Sequence, residues 1–166
     1  MVRILGLDPG SRITGYGVVD TGGHGVSYVA SGCIRVGNGA MTARLLEIQR
    51  HVAELVDAFA PVEIAIERVF VHRNADSALK LGQARGAALC GACRGGAPVF
   101  EYAPRAVKQT VTGTGAAEKT QVLHMIKALL SLQGRLSADA ADALAIALCH
   151  AQHRNAPAAR HARAAR

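Results

Sequence analysis

Residues 1–19, MVRILGLDPGSRITGYGVV, contain the pattern that decides the fold of this chain. The apolar run ILGL at residues 4–7 is typical of a buried strand, and it ends on the acidic Asp8. The pair Pro9-Gly10 then turns the chain towards a second apolar segment. Buried carboxylates are unfavourable unless they are paired, hydrogen-bonded or bound to a metal ion, so Asp8 is predicted to have a chemical role.

The same reading extends along the chain. Apolar runs predict strands over residues 3–8, 14–20, 26–34, 62–67 and 99–101. Helical spacing predicts helices over residues 42–59, 75–94, 105–111, 118–132 and 138–152. Short turns join the first three strands and require antiparallel pairing, whereas the later strands alternate with helices. We therefore predict an α/β fold whose mixed five-stranded sheet has three antiparallel strands, then parallel strands, and helices on both faces.

Length and charge limit the possible functions. The 166 residues suffice for one domain, which we expect over residues 1–152, followed by a basic, disordered tail over residues 153–166. Nineteen Lys and Arg residues against 12 Asp and Glu give a net charge of +7, which suits nucleic acid, although solubility alone is an alternative. No apolar run is long enough for a membrane span or a signal core, so we expect a cytoplasmic protein with no membrane partner.

Two interpretations of the cysteines are open. Cys90 and Cys93 have the CxxC spacing, and Cys149 with His150 and His153 could complete a zinc site. The surrounding run ARGAALCGAC instead favours a tightly packed helix with reduced, buried thiols, and this is the interpretation we prefer.

Four carboxylates are predicted to converge on one point. Asp8 and Glu67 each end an apolar strand, and neighbouring strands would bring both to one edge of the sheet. Asp139 and Asp142 share one face of a helix that is otherwise small and apolar; capping explains Asp139 but not Asp142. Mutually repelling oxygen ligands suit Mg²⁺ or Mn²⁺, and two such ions support phosphodiester hydrolysis. The pattern indicates a nuclease.

Five longer stretches carry a family resemblance. They are GLDPGSRITGYGVV, AIERVF, NADSALKLGQARG, FEYAPRAVKQTVTG and ADAADALAIA. Together they resemble the RuvC family of bacterial Holliday-junction resolvases over almost the whole chain to about His150. The resemblance implies an RNase H-like fold, a homodimer, and Mg²⁺-dependent paired nicks in opposed strands of four-way junction DNA, in recombination and repair. It also implies a branch-migration motor complex as a partner. Arg68 departs from the pattern, since glutamine is expected there.

The resemblance also assigns roles to individual residues. It places the family's catalytic metal ligands on Asp8, Glu67, Asp139 and Asp142, with Asp8 bridging two Mg²⁺ ions, for which Mn²⁺ is expected to substitute. Lys119, as a catalytic residue, and Lys108 would contact the DNA backbone near the cut, where a cation stabilises transition-state charge. The alternative for both lysines is an ordinary solvated position on a helix.

Further DNA contacts are predicted from residue type and position. Phe70 follows Glu67 in a polar loop and is interpreted as a stacking platform for an opened base, with a core anchor as the alternative. Arg73, Lys80 and Arg85 would then follow the phosphates.

Other functions were weighed against this one. The opening strand pair also resembles that of actin-like ATPases and sugar kinases, but the chain has no room for their second lobe. The segment TGTGAAEKT imitates a phosphate-binding P-loop, yet Glu118 stands where the second glycine is required. An RNase H-like nuclease acting on RNA and a non-catalytic junction-binding protein are the remaining alternatives.

Overall fold

The computed structural model describes residues 1–23, 25–68 and 74–155. The strands are β1 (Val2–Asp8), β2 (Ile13–Gly22), β3 (Gly25–Arg35), β4 (Glu63–Glu67) and β5 (Val99–Tyr102). The helices are α1 (Met41–Phe59), α2 (Ala75–Ala92), α3 (Pro104–Thr112), α4 (Lys119–Leu129) and α5 (Ala138–Asn155). A short 3-10 turn, Cys93–Gly95, follows α2. Every predicted strand and helix is present, with small differences at the ends.

The five strands form one sheet in the order β3-β2-β1-β4-β5. The pairs β1–β2 and β2–β3 are antiparallel, and the pairs β1–β4 and β4–β5 are parallel. This arrangement confirms the predicted mixed sheet. Because β1 and β4 are parallel neighbours, their carboxyl ends lie at the same edge.

Helices cover both faces of the sheet, as predicted. Leu5 and Leu7 of β1 pack with α1 and α2 on one face, whereas Ile4 packs with α3, α4 and α5 on the other. This division follows from strand alternation, which sends successive side chains to opposite faces. Within the described ranges, no helix is both long and apolar enough to cross a membrane.

Three glycines allow α5 to lie directly on the sheet. A Cβ atom added at Gly6, Gly15 or Gly17 would come closer than 3.0 Å to backbone atoms of α5. Side chains essentially never approach a backbone so closely, so these positions accept only glycine while α5 stays where it is. The close contact fixes the height above the strands of the first two turns of α5, which carry Asp139 and Asp142.

Helix α5 is longer than predicted. It continues to Asn155, so the folded part extends beyond the expected boundary at residue 152 and includes residues that we assigned to the tail. Arg154 Nε donates to Glu63 Oε2 at 2.8 Å, and Glu63 is fully buried at the start of β4. This contact explains the extra turn, because a buried carboxylate needs a charged or polar partner. Residues 156–166 lie outside the described residues, and their disorder stays a prediction.

The expectation of buried thiols is wrong for two of the four cysteines. Cys90 and Cys93 are exposed, whereas Cys149 is buried. Helix α2 packs through Ala84, Ala88 and Ala92, which leaves both cysteines on its outer side. Cys149 belongs to the core on the opposite face of the sheet, so the three thiols cannot share one zinc site.

Candidate active site

Asp8 and Glu67 lie side by side at one edge of the sheet. In the parallel pairing of β1 with β4, Leu7 stands beside Ile66, and the next residue of each strand is an acid. Asp8 is four residues after Ile4, whose side chain lies in the α5 core, so strand alternation sends the Asp8 carboxylate to the same face. The two acids therefore face the helix that carries the aspartate pair.

The first turn of α5 reaches this edge. Ser137 Oγ accepts the N–H of Ala140 at 3.4 Å, so a serine rather than Asp139 caps the helix. Asp142 lines the same cavity as Asp8 and Glu67. Asp139 stands at the margin: it does not line the cavity, but its charge still acts on Asp8.

The cavity combines acids, lysines and a hydrophobic floor. It has a volume of about 270 Å³ and opens between α3, α4, α5 and the ends of β1 and β4. Its charged lining consists of Asp8, Glu67, Asp142, Lys108 and Lys119. Its remaining lining consists of Pro104, Val107, Val122 and Ala145. The apolar floor withdraws the carboxylates from water and strengthens the interactions among them.

Negative charge is strongly disfavoured in this cluster. Burial is the largest cause that raises the pKa of Asp8 from 3.8 to about 7, and Glu67, Asp142 and Asp139 raise it further, while Lys119 opposes them. Burial, followed by the charge of Asp142, also raises the pKa of Glu67. Carboxylates in this state bind protons or cations because either removes the repulsion.

Lys119 supplies a positive charge within the cluster. Its Nζ lies 3.2 Å from Asp142 Oδ2, and the Asp142 charge raises the pKa of Lys119. The side chain is 76% exposed, so it can also meet an anion that enters from solvent. Lys119 begins α4 immediately after Glu118, whose side chain forms a reciprocal capping box with Gln121. Glu118 therefore has a structural role, and the segment is not a P-loop.

The chemistry of the donor set fits hard divalent cations. Mg²⁺ and Mn²⁺ favour carboxylate oxygens, and the crowded acids gain most from a cation between them. Among the described residues, no three acidic, histidine or cysteine side chains already form a compact ligand group. Mg²⁺ suits such an open arrangement because it commonly keeps several waters and takes only one or two carboxylates together with substrate phosphate oxygens.

Arg85 contacts the end of β4, with part of its guanidinium already engaged. Its Nε donates to the backbone carbonyl of Glu67 at 3.1 Å, and its Nη2 lies 2.9 Å from Glu101 Oε1. Arg68 Nε approaches the other oxygen of Glu101 at 3.7 Å. Glu101 was not predicted from the sequence as part of the site, although its place in the strand beside β4 was an available signal.

The other predicted DNA contacts differ in position. Lys80 is exposed on α2, and its Nζ lies 2.6 Å from Asp76 Oδ2. Lys108 lines the cavity described above. Phe70 and Arg73 lie outside the described residues, so their predicted contacts remain predictions.

A buried network at the far end of α5 was not predicted from the sequence. His150 Nε2 lies 2.9 Å from Glu63 Oε2, and His150 Nδ1 lies 2.7 Å from the hydroxyl of Tyr102. Burial is the main cause that lowers the pKa of His150 to about 4, so the imidazole is neutral at pH 7. One tautomer satisfies both contacts: Nε2–H donates to Glu63, and Nδ1 accepts from Tyr102. The network joins α5 to β4 and β5 away from the acids.

Comparisons with known proteins identify the family of this chain. The family profile described as crossover junction endodeoxyribonuclease RuvC matches residues 4–150. The RuvC protein of Dichelobacter nodosus is 54% identical over 91% of this chain and 86% of its own length. That of Marinobacter nauticus is 57% identical over 98% of this chain and 93% of its own.

Solved structures agree as well. The structure described as Thermus thermophilus RuvC in complex with Holliday junction substrate is similar with a TM-score of 0.86 and 33% identity, covering 97% of each chain. This similarity confirms the predicted RNase H-like fold. The profile match and these identities show that the chain belongs to the RuvC family of crossover junction endodeoxyribonucleases.

Proposed function

We propose that this protein is an Mg²⁺-dependent endonuclease that resolves four-way DNA junctions by paired, symmetric nicks. The observation that carries the proposal is the cavity in which Asp8, Glu67 and Asp142 meet beside two lysines. The relatives are named crossover junction endodeoxyribonucleases, and one similar structure is that of a RuvC protein in complex with a Holliday junction substrate. Membership of that family supports the same substrate for this chain.

The four acids would hold the metal ions. Asp8 is central, because Glu67, Asp142 and Asp139 all act on its charge, and this position suits a ligand shared by two ions. Two Mg²⁺ ions, when bound, would activate a water and stabilise the charge that develops on the phosphate oxygens. Mn²⁺ prefers similar oxygen ligands and is proposed as a substitute.

The lysines orient the scissile phosphate. Lys119 Nζ contacts Asp142 and is largely exposed, so an incoming phosphate oxygen can take over part of its hydrogen bonding. Lys108 lies in the same cavity, and its charge opposes the rise in the pKa of Glu67. Both cations would favour the additional negative charge of the transition state. Beyond the cavity, Phe70, Arg73, Lys80 and Arg85 are proposed to guide the DNA arms.

A twofold dimer would explain how two opposed strands are cut. Identical subunits related by a twofold axis present identical sites to two equivalent strands of a junction. Helix α2 is the proposed interface, because Leu79 is 65% exposed and a Cβ added at Gly82 or Gly86 would meet nothing within 4 Å. These three positions share one helical face. We further propose a bacterial cytoplasmic location and a branch-migration motor complex as a partner.

The test is a cleavage assay with matched substrates. Purified protein is incubated with a labelled four-way junction, a linear duplex and an RNA–DNA hybrid, each with Mg²⁺ and with EDTA. We expect paired nicks in the junction alone, only with Mg²⁺, and none from Asp8→Asn. The matched control, Asp57→Asn, alters an exposed acid on α1 and should cut normally.

Other outcomes would identify the alternatives. Cleavage of the hybrid alone would indicate an RNA-directed nuclease. Tight junction binding without cleavage, across varied junction sequences, would indicate a non-catalytic junction-binding protein. Equal cleavage of all three substrates would remove junction specificity from the proposal.

A further inference from the structure

A second cavity adjoins the catalytic one. It has a volume of about 460 Å³, and its lining consists of Pro104, Arg105, Lys108, Gly115 and Ala116. Pro104 and Lys108 line the catalytic cavity as well, so the two spaces share a wall. We call the second space the Arg105 cavity. Its lining has two cationic side chains and no acid, whereas the lining of the catalytic cavity includes three carboxylates.

Arg105 differs from the other arginines near the site in having an uncommitted guanidinium. Arg85 and Arg68 are both paired with Glu101. No residue within the described ranges forms an ion pair or a hydrogen bond with the Arg105 guanidinium, and the side chain is exposed. An unpaired arginine beside a cavity without acids is available to an anion from solution.

The loop after α3 holds Arg105 in place. A Cβ added at Gly115 would lie 2.5 Å from Arg105 Cγ and 3.1 Å from its Nε, so the side chain rests against the bare backbone of this glycine. Hydrogen bonds within the loop fix the wall: Thr112 Oγ1 donates to the carbonyl of Thr114 at 3.0 Å, and Thr114 Oγ1 accepts the N–H of Ala116 at 3.3 Å. The cavity is therefore formed before any ligand arrives.

We infer that the Arg105 cavity binds a backbone phosphate of the cleaved strand, next to the scissile phosphate. The inference rests on the proposed function, because it assumes that the scissile phosphate occupies the adjoining catalytic cavity. Along a DNA strand, phosphates follow one another at short, regular intervals, so a strand that places one in the first cavity brings a neighbour to the second. Arginine binds phosphate oxygens through two parallel N–H donors, which suits contact independent of base sequence.

The first test removes the negative charge of one DNA phosphate and, separately, the positive charge of Arg105, and then combines the two changes. Two junctions are prepared, each with one neutral methylphosphonate, placed at the linkage on the 5′ side of the cut in one and on the 3′ side in the other. Binding is measured with proteins that also carry Asp8→Asn, so that cleavage does not interfere. We expect one of the two substitutions to weaken binding about tenfold when Arg105 is present and to have no further effect in Arg105→Ala. Equal weakening with and without Arg105 at both linkages would overturn the inference.

The salt dependence of binding gives a second readout. Removing one phosphate contact should reduce the slope of log K against log salt by about 0.9 for Arg105→Ala. The control Arg50→Ala removes the same charge from α1, on the opposite face of the sheet, and should leave the slope unchanged. Equal slopes for the two variants would contradict a phosphate contact by Arg105.

Gly115→Ala tests the geometry without removing a charge. The added methyl must displace Arg105, so this variant should lose part of the affinity that Arg105→Ala loses, while unchanged affinity would contradict the seating of Arg105. The outcomes separate the two proposals. If the wild type neither binds nor cuts junctions, the proposed function fails. If it does both and Arg105→Ala behaves like Arg50→Ala, the inference alone fails.

Discussion

Replacing Asp8 with asparagine should stabilise the metal-free protein while it abolishes cleavage. The folded state raises the pKa of Asp8 from 3.8 to about 7, chiefly by burial and then by the charges of Glu67 and Asp142. A carboxyl group whose pKa is raised on folding binds its proton more tightly in the folded than in the unfolded state. Ionised Asp8 therefore destabilises the fold, and this destabilisation grows from about pH 4 until it is complete above about pH 7.

The expected size follows from the two pKa values. Each pKa unit corresponds to about 1.4 kcal/mol, so the difference between 3.8 and about 7 sets an upper limit of about 4 kcal/mol above pH 7. Water that enters the open cavity and movement of Lys119 will reduce this limit. We expect Asp8→Asn to gain about 2 kcal/mol at pH 8, or roughly 4–8 °C in Tm for a chain of this size, and less than half of that at pH 5.

The assay is thermal unfolding of the wild type and Asp8→Asn in EDTA at pH 5 and pH 8. Asp57→Asn, which alters an exposed acid, controls for the change in net charge. His150 is present in all three proteins, so its ionisation cancels in the comparison. Mg²⁺ should raise the Tm of the wild type more than that of Asp8→Asn, because a cation removes the same repulsion. An unchanged or lower Tm for Asp8→Asn at pH 8, or an equal gain in Asp57→Asn, would refute the reasoning.

Three further variants address other parts of the structure. Gly6→Ala forces a methyl group against the Ala143 carbonyl, so urea unfolding should show a loss of about 2–3 kcal/mol with a parallel loss of cleavage; wild-type values for both would contradict the close approach of α5. Lys119→Ala should slow single-turnover cleavage about 10²-fold while junction binding changes only a few-fold, and equal losses would remove its transition-state role. The folded state lowers the pKa of His150 to about 4, so the contribution of His150 to stability should be lost as the pH drops from 6.5 towards 4, while protonation of Asp8 acts in the opposite direction in every variant that keeps Asp8. Measured by denaturation at each pH, the wild type should therefore lose stability relative to His150→Gln over this range, and a constant difference between the two proteins would contradict a buried neutral imidazole.

The convergence of the acids at one edge of the sheet could be predicted from the sequence, because the position of each acid depends on a local pattern. An acid that ends an apolar strand must emerge at the sheet edge, and two acids at i and i+3 must share a helix face. Asp8 and Glu67 thus needed one long-range fact, the pairing of β1 with β4, to be brought together, and Asp142 needed a second, the packing of α5 on the sheet. Asp139 lies on the same helical face as Asp142 but does not line the cavity. The orientation of α5 about its axis brings Asp142, one turn later, into the lining instead.

The parts that were not predicted depend on packing between distant segments. Glu63 begins a strand, where an acid usually faces water, but here it is buried and contacts His150 and Arg154, which lie 87 and 91 positions later in the chain. The available signal was His150 and Arg154, four residues apart on a mostly apolar helix. The cysteines were misjudged because an Ala- and Gly-rich helix such as α2 has little periodicity to show which side is covered.

The anchoring of α5 at its far end matters for anyone who shortens this protein. The family profile ends at residue 150, and a minimal catalytic unit cut there would keep Asp8, Glu67 and the aspartate pair. Such a unit would lack Arg154, whose guanidinium pairs with the Glu63 carboxylate, and that carboxylate has almost no access to water. Removing one member of a buried ion pair commonly destabilises a protein by about 3–5 kcal/mol, which is a large part of the stability of an ordinary domain. A trimmed variant should therefore retain the chain through residue 155, although none of these last residues lines the catalytic cavity.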